Sequence, residues 1–379
     1  MNAAPRVLVI PSWYPGPASP TAGIFIREQV TALSALCEVS VLHVDSADRA
    51  SSLALTVEDG VTVLRSAVDA ASLPARYFTY RRLGLEAFER LREEWGAPDI
   101  VHVQALWPAA LIARAISRRY GIPYVVTEHS EEYLAQSARR LVRTPGMLPL
   151  VLRPLARASA CTIAVSRFLG NRLVELGLAS DPVIIPNVVP LSDASPLAFA
   201  TPHVIAHVSV MGPAKNLPGL LHAIDALRVR RSDFVLRLAG EGERRAEAEA
   251  LSASLGLDDF VEFIGPRTPE QVRALFAESA FAVISSTHET FSVVAVEALM
   301  CGRPVLSTRC GGPEEFITPE VGRLVASDDV AALADGLDWM LDHHADFDPA
   351  ALHEYARKRF APDVVATAIL DVYRSVLDA

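Results

Sequence analysis

Along nearly the whole chain, short apolar runs alternate with longer stretches of helical spacing, and this alternation limits the folds open to it more than any other feature. Arg6 to Ile10 reads as a buried strand, the Pro/Gly-rich loop Pro11 to Gly23 follows, and Ile24 to Leu36 carries a helical pattern. Further apolar runs lie at Glu38 to His43, Asp99 to Val103, Tyr124 to Thr127 and Thr162 to Val165. Uniformly apolar strands separated by helices predict a parallel sheet with helices on both faces. From Pro182 to Pro202, five prolines and few helix formers break the rhythm, as an interdomain linker does. The alternation then resumes through Val204 to Val208, Val235 to Ala239, Val261 to Ile264, Phe281 to Ser285 and Pro304 to Ser307. Two doubly wound α/β domains in tandem are predicted. Because ligands in such sheets bind at the carboxyl ends of the strands, the expected active site is the cleft between the domains.

Composition narrows the function. With 379 residues, 51% of them hydrophobic, the chain can fill two cores. A net charge of −10 disfavours a nucleic-acid binder, which needs a basic face to neutralise phosphates. Cys37, Cys161, Cys301 and Cys310 are far apart and form no C-x-x-C, which fits a reducing compartment and neither a disulfide framework nor a zinc site. A cytoplasmic location is expected, since the early apolar run is too short for a signal peptide and no run reaches about eighteen apolar residues.

The most informative stretch follows the run Phe281 to Ser285. There Ser286-Thr287-His288-Glu289-Thr290-Phe291-Ser292 leads into a helical pattern, Val293 to Cys301, that stops at Gly302. The first amides of a helix are unpaired and lie at the positive end of its dipole, which suits a diphosphate, and the small Thr290 and Ser292 let an anion approach the backbone. With Ser292 as N-cap, Glu297 lies on the order of 8 Å beyond Glu289, a span resembling that of a diphosphate. One carboxylate can then accept from sugar hydroxyls and the other from ribose hydroxyls. Two glutamates flanking a capped helix also arise by chance, so the spacing alone leaves a solvated helix start as an equal reading.

The run HETFSVVAVEALMCGRPVLSTRCGGPEE (His288 to Glu315) resembles the E-x7-E signature of the GT4 family of retaining glycosyltransferases, which have the GT-B fold. SVMGPAKNLPGLLHAI (Ser209 to Ile224), LRLAGEGERR (Leu236 to Arg245) and FVEFIGPRTPEQV (Phe260 to Val272) are similar to further landmarks of that family, in the same order. So are PSWYPGPASPTAGIFIREQ (Pro11 to Gln29), DIVHVQ (Asp99 to Gln104), VVTEHS (Val125 to Ser130), AVSRFLGNRL (Ala164 to Leu173) and VIIPNVV (Val183 to Val189). The resemblance implies GT-B architecture: two Rossmann-like domains facing each other across a cleft. Residues 1–190 would be the acceptor-side domain and 191–361 the nucleotide-sugar domain, with a last helix, about 362–379, packing back on the first. It implies that Glu289 and Glu297 bind the donor sugar and ribose, and that Thr290, Phe291, Ser292 and Val293 line the phosphates with their backbone. Lys215 would hold the diphosphate, Gly23 would form the loop facing it, His129 would approach the transferred sugar, and Arg267 would lie in the loop that reads the base. Catalysis would then rest on His129, Glu289 and Lys215, with no cofactor and no metal ion. The partners implied are a nucleoside-diphosphate sugar, such as a UDP or GDP sugar, and a saccharide or lipid-linked acceptor in polysaccharide or glycolipid synthesis.

Two positions depart from the pattern. Val210 stands where the family carries an arginine, which removes one cation from the diphosphate and predicts weaker nucleotide binding. Pro186-Asn187-Val188-Val189-Pro190 replaces the usual P-N-G-V-D. Asp342, His343, His344, Asp346 and Asp348 include a D-x-D, but in a polar segment after a helix they read as a solvated connection. From Leu134 to Leu173 lie seven arginines (Arg139, Arg140, Arg143, Arg153, Arg157, Arg167, Arg172) and no acidic residue. This segment and Arg76-Tyr77-Phe78-Thr79-Tyr80-Arg81-Arg82 read in two ways. They are amphipathic helices whose arginines snorkel over the domain surface, or a patch that rests on the inner face of an anionic membrane. A nicotinamide dehydrogenase is disfavoured because Pro11 to Gly23 lacks G-x-G-x-x-G. A GT-B nucleotide-sugar isomerase and a non-catalytic nucleotide-sugar sensor are the alternatives to a transferase.

Overall fold

The computed structural model describes residues 4–16, 22–47, 51–69, 73–134, 141–191 and 203–379. It divides into two units, one formed by Met1–Val188 with Pro362–Ala379 and the other by Val189–Ala361. The arginines Arg139 and Arg140, part of the loop before Gly23 and most of the proline-rich linker lie outside the described residues.

In the first unit the elements run β1 (Arg6–Pro11), α1 (Ile24–Ser34), β2 (Glu38–Ala47), β3 (Ser51–Glu58), β4 (Val61–Asp69) and α2 (Leu73–Trp95). They continue with β5 (Ile100–Gln104), α3 (Ala110–Tyr120), β6 (Tyr124–Glu128), α4 (Arg153–Arg157), β7 (Cys161–Ala164), α5 (Arg167–Glu175) and β8 (Val183–Ile184). The strands form one sheet in the order β3-β4-β2-β1-β5-β6-β7-β8, parallel throughout except for the β3/β4 pair. That pair is a hairpin closed by Asp59 and Gly60, both left-handed at φ 49° and 80°. Two left-handed residues give a turn whose twist matches that of the flanking strands.

In the second unit the order is β9 (His203–Val208), α6 (Leu217–Arg228), β10 (Phe234–Ala239), α7 (Arg245–Ser254), β11 (Val261–Gly265) and α8 (Pro269–Glu278). β12 (Phe281–Ile284), α9 (Val293–Met300), β13 (Val305–Thr308), β14 (Gly322–Val325), α10 (Val330–His343) and α11 (Pro349–Phe360) complete it. Its sheet is wholly parallel, in the order β11-β10-β9-β12-β13-β14. The chain works outward from β9 to one edge and then outward from β12 to the other. The direction reverses between β9 and β12, and loops diverging from that point open a crevice at the strand ends.

The final helix, α12 (Pro362–Leu377), lies in the core of the first unit. Val365, Ile369 and Tyr373 from α12 and Ile26, Val30 and Leu33 from α1 cover the sheet face that presents Val7, Val9, Val41 and Val63. Burying each aliphatic side chain contributes about 2 kcal/mol, which holds α12 against this unit. In the second unit α6 packs Leu220, Leu221, Ile224 and Leu227 against Leu236, Leu238 and Val283, with α10 adding Leu333, Leu337 and Met340. Arg303 is buried there, where its guanidinium donates to the Phe276 carbonyl at 3.2 Å and to that of Ala277, the last turn of α8. The Phe276 carbonyl also accepts from the Ser279 amide at 3.0 Å, so the arginine adds to the closure of the helix end.

Buried histidines contribute to the acid sensitivity of the fold, His344 among them in the same direction as the four that follow. Burial lowers His102 and His129 to about 3 and His43 and His207 to about 4, from 6.5. The unfolded chain takes up protons at these sites below pH 6.5 while the folded chain does not. Stability is therefore complete above that pH and falls as the pH drops toward 4. Each histidine is expected to cost its unit about 1–2 kcal/mol between pH 7 and pH 5. Urea denaturation at pH 7, 6 and 5 should show the midpoint falling steadily, and a midpoint that is flat or rising over that interval would contradict the assignment.

Candidate functional site

At the point where the second sheet reverses, the loop after β9 and the loop after β12 bring a cation and an anion together. Lys215 ends a short 3-10 turn, Pro213–Lys215, and Asn216 behind it is left-handed at φ 49° and caps α6 by accepting from the Gly219 amide at 3.2 Å. Its ammonium lies 2.5 Å from Oε1 of Glu289, and Ser286 Oγ donates to the same oxygen at 2.7 Å. Burial pushes the Glu289 carboxyl up, but the Lys215 charge and the hydrogen bonds from Lys215 and Ser286 outweigh it and hold the group below its ordinary range. The carboxylate thus stays ionised with little water around it.

The backbone of both loops is stapled in place. Ser285 Oγ donates to the Lys215 carbonyl at 2.7 Å and the Thr287 amide to the Ala214 carbonyl at 2.8 Å, which ties the lysine turn to the end of β12. On the other side the Glu289 amide donates to Cys310 at 2.7 Å and the Gly312 amide to Glu289 at 2.9 Å. A Cβ at Gly312 would come within 2.4 Å of the Thr290 carbonyl oxygen, so only glycine permits this approach. Gly240 and Gly242, at φ 130° and 156°, play the same part against the loop after β9. Cβ atoms there would lie 1.9 Å from the Ser209 oxygen and 2.6 Å from the Met211 oxygen. Beneath the pair, buried His207 bridges Ser209 Oγ at 2.9 Å and the Val283 carbonyl at 3.1 Å, joining β9 to β12.

Helix α9 begins beside Glu289. Its N-cap, Ser292, is left-handed at φ 77° and makes no side-chain cap. A non-glycine residue in that region costs of order 1–3 kcal/mol and persists only where its surroundings fix it. The Phe291 side chain supplies the anchor: it is buried and packs against the rings of Phe316 and Phe360 at 5.5 and 5.6 Å. Phe291 is thus a core side chain whose backbone opens the helix, with Thr290 and Val293 half-buried on either side. Glu297 is half-buried one turn further along α9. Val210 is 72% exposed on the loop after β9. Arg267 lies exposed after the edge strand β11, donating to the Pro266 carbonyl at 3.1 Å, and is not gathered with Lys215 and Glu289.

In the first unit Gly23 is left-handed at φ 69° and starts α1. A Cβ there would meet the Trp13 backbone oxygen at 2.8 Å. His129 follows β6 and is buried, its ring 4.8 Å from that of Phe25 on α1. The Glu128 carboxyl fixes the turn, accepting from the amides of Leu106 at 3.0 Å, His129 at 2.9 Å and Ser130 at 3.0 Å. The basic segment divides in function: Arg153 and Arg172 donate to the carbonyls of Leu176 and Tyr133, both at 2.9 Å, while Arg143, Arg157 and Arg167 are exposed. On α2, Tyr80 is buried, Tyr77 packs on Trp107 at 4.5 Å and Phe78 is exposed; nothing is described of the Arg76 side chain. The D-x-D segment is spent on structure. Asp342 pairs with Arg231 at 2.8 Å, His343 stacks on Trp339 at 4.3 Å, and Asp348 caps α11 by accepting from Ala350 at 3.0 Å.

The family described as Glycosyl transferases group 1 matches residues 190–359, and that described as Glycosyltransferase Family 4 matches residues 22–193. A D-inositol 3-phosphate glycosyltransferase from Frankia alni is 30% identical over 275 residues, 65% of this chain and 67% of that protein. The chain belongs to glycosyltransferase family 4. An MMP alpha-(1->4)-mannosyltransferase from Mycolicibacterium hassiacum is 29% identical over 69% of this chain and 66% of that protein. Among solved structures, sucrose-phosphate synthase from Thermosynechococcus elongatus superposes with a TM-score of 0.81 at 20% identity, covering 98% of this chain and 99% of that one. Anabaena HepE in complex with UDP and glucose gives 0.73 at 17% identity, covering 98% and 100%. These likenesses show the GT-B fold for this family 4 glycosyltransferase.

The glycine contact yields a direct test. Gly312→Ala is expected to push the Thr290 carbonyl aside and turn the amides at the start of α9, lowering affinity for nucleoside diphosphates about tenfold. The melting temperature should fall by only a few degrees. Unchanged affinity in a calorimetric titration would show that these amides take no part in binding.

Proposed function

We propose that this glycosyltransferase moves a sugar from a nucleoside-diphosphate donor to a saccharide or lipid-linked saccharide, with retention at the anomeric carbon and without a metal ion. The observation that carries the reading is the meeting of Lys215 and Glu289 at the β9/β12 reversal, beside the first turn of α9. An ammonium carries three N–H donors and can serve several acceptors at once, so Lys215 is read as a donor to phosphate oxygens as well as to Glu289. Cleavage of the bond between the anomeric carbon and the diphosphate puts negative charge on the leaving oxygen. Lys215 and the amides of Phe291, Ser292 and Val293 are fixed by the fold beforehand and stabilise that charge with little reorganisation. The second oxygen of Glu289 accepts from a hydroxyl of the sugar, which orients the ring, and Glu297 does the same for the ribose.

The first unit is read as the acceptor side, with Gly23 facing the phosphates and His129 acting at the transferred sugar. Names of similar proteins support the donor class: one neighbour holds UDP and glucose and another, a starch synthase domain from Arabidopsis thaliana, holds ADP and acarbose. Val210 stands where the family pattern has an arginine, so on this reading Lys215 and the helix amides hold the diphosphate with less help.

Glu289→Ala should reduce turnover by at least about a hundredfold while changing stability far less, because the released lysine can turn to solvent. Turnover is read as nucleoside-diphosphate release from UDP, GDP and ADP sugars with saccharide acceptors, and the product anomer by proton NMR. Wild-type turnover in Glu289→Ala, or a product of inverted configuration, would overturn the reading.

A further inference from the structure

The first unit buries a row of polar side chains under α1 and α12, on the sheet face that is otherwise filled by valine and isoleucine. His102 and Gln104 are alternate residues of β5, so they share that face, and Thr127 of β6 pairs with Gln104. Gln29 reaches them from α1 and Tyr373 from α12. All five side chains are at most 2% exposed. Tyr373 OH lies 2.5 Å from His102 Nδ1, and His102 Nε2 lies 2.7 Å from Thr127 Oγ1. The Gln104 amide nitrogen lies 3.3 and 3.5 Å from the two His102 ring nitrogens and donates to Gln29 Oε1. Its carbonyl oxygen is turned the other way, 2.7 Å from Nε2 of His129.

Buried polar groups are costly unless every member is satisfied, and a row of valines would fill the same face without that cost. This row has one product at its open end, a fixed hydrogen-bond acceptor for His129. With the Gln104 nitrogen committed to Gln29 and flanked by His102, its oxygen faces the imidazole and accepts the hydrogen bond of Nε2–H, while the Asn187 side chain is a second hydrogen-bond partner of the same ring. Burial keeps the ring neutral, since it lowers this histidine to about 3. A neutral ring with its proton on Nε2 presents Nδ1 as an acceptor, never as a donor.

We propose that Gln104 and Gln29 are positioning residues for His129, and that His102, Thr127 and Tyr373 anchor them to the C-terminal helix, so that α12 is part of the apparatus that fixes this histidine's tautomer. The proposal rests on the reading of His129 as a group at the transferred sugar. It gives α12 a role in the reaction beyond covering the core.

Two variants test it. Gln104→Leu removes the acceptor, and Tyr373→Phe keeps the ring while removing only the hydroxyl. Nitrogen-15 NMR of histidine-labelled protein is expected to show His129 as a single Nε2-protonated species in the wild type and a mixture of tautomers in Gln104→Leu. With whichever UDP, GDP or ADP hexose the wild type consumes, kcat should drop about tenfold in Gln104→Leu and a few-fold in Tyr373→Phe, with the donor KM unchanged. A purely structural role would lower the melting temperature and leave kcat of the folded enzyme intact. His129 in one unchanged tautomer in Gln104→Leu, or full kcat in both variants while His129→Ala is crippled, would overturn the proposal and leave the histidine's own role standing. Full kcat in His129→Ala would remove that role and the proposal together.

Discussion

A carboxylate largely withdrawn from water remains charged only if a cation or several donors are held against it, and the second unit holds one such group where its strand order reverses. Glu289 is kept ionised by Lys215 and Ser286, and the three come from loops that meet because the strand order reverses between β9 and β12. The pair is partly exposed, Lys215 at 25% and Glu289 at 13%, so solvent screens it and its contribution to stability is modest. Retaining the pair is therefore poorly explained by stability. It places a cation and a hydrogen-bond acceptor beside the open start of a helix, which on the proposed reading serves the phosphates and the sugar of one donor.

Rigidity at this point comes from backbone contacts more than from side chains. The lysine turn is tied to β12 and the Glu289 loop to the strand-end loop of β13. Three glycines, Gly240, Gly242 and Gly312, let main chains approach more closely than any Cβ would allow. Phe291 shows the same division of labour, with its ring locked among Phe316 and Phe360 while its backbone opens α9. The first unit reaches a fixed geometry by another route, a satisfied row of buried polar side chains that starts on α12 and ends at His129.

Much of this was legible in the sequence, for a definite reason. Strands buried in a parallel sheet are mainly apolar, so β1, β2, β5 to β7 and β9 to β13 each show as a short apolar run even where β5 carries His102 and Gln104 and the edge strand β11 exposes Glu262. The hairpin of β3 and β4 is less legible although Asp59-Gly60 is a strong turn signal, because its strands alternate in polarity, with β3 at the sheet edge and β4 next to it. β14 has only four residues, one of them Arg323, too few for any pattern to emerge. Glu289 and Lys215 could be found because each follows an apolar run. Ser286, His207, Cys310 and Gly312 could not, since their importance lies in hydrogen bonds and approaches between loops far apart in sequence. The Gln29 to Tyr373 row was hidden for a similar reason. A sequence shows that these residues are polar but not that tertiary packing buries them side by side.

The central claim is that Lys215, held against Glu289, forms the diphosphate site. Thermal shift with UDP, GDP and ADP, run on the wild type and on Lys215→Met, tests it most directly, because a ligand that binds only the folded state raises its melting temperature. At least one of the three nucleotides should raise the melting temperature of the wild type by several degrees, and that rise should vanish in Lys215→Met. No rise with any of them, or an equal rise in the variant, would contradict the account.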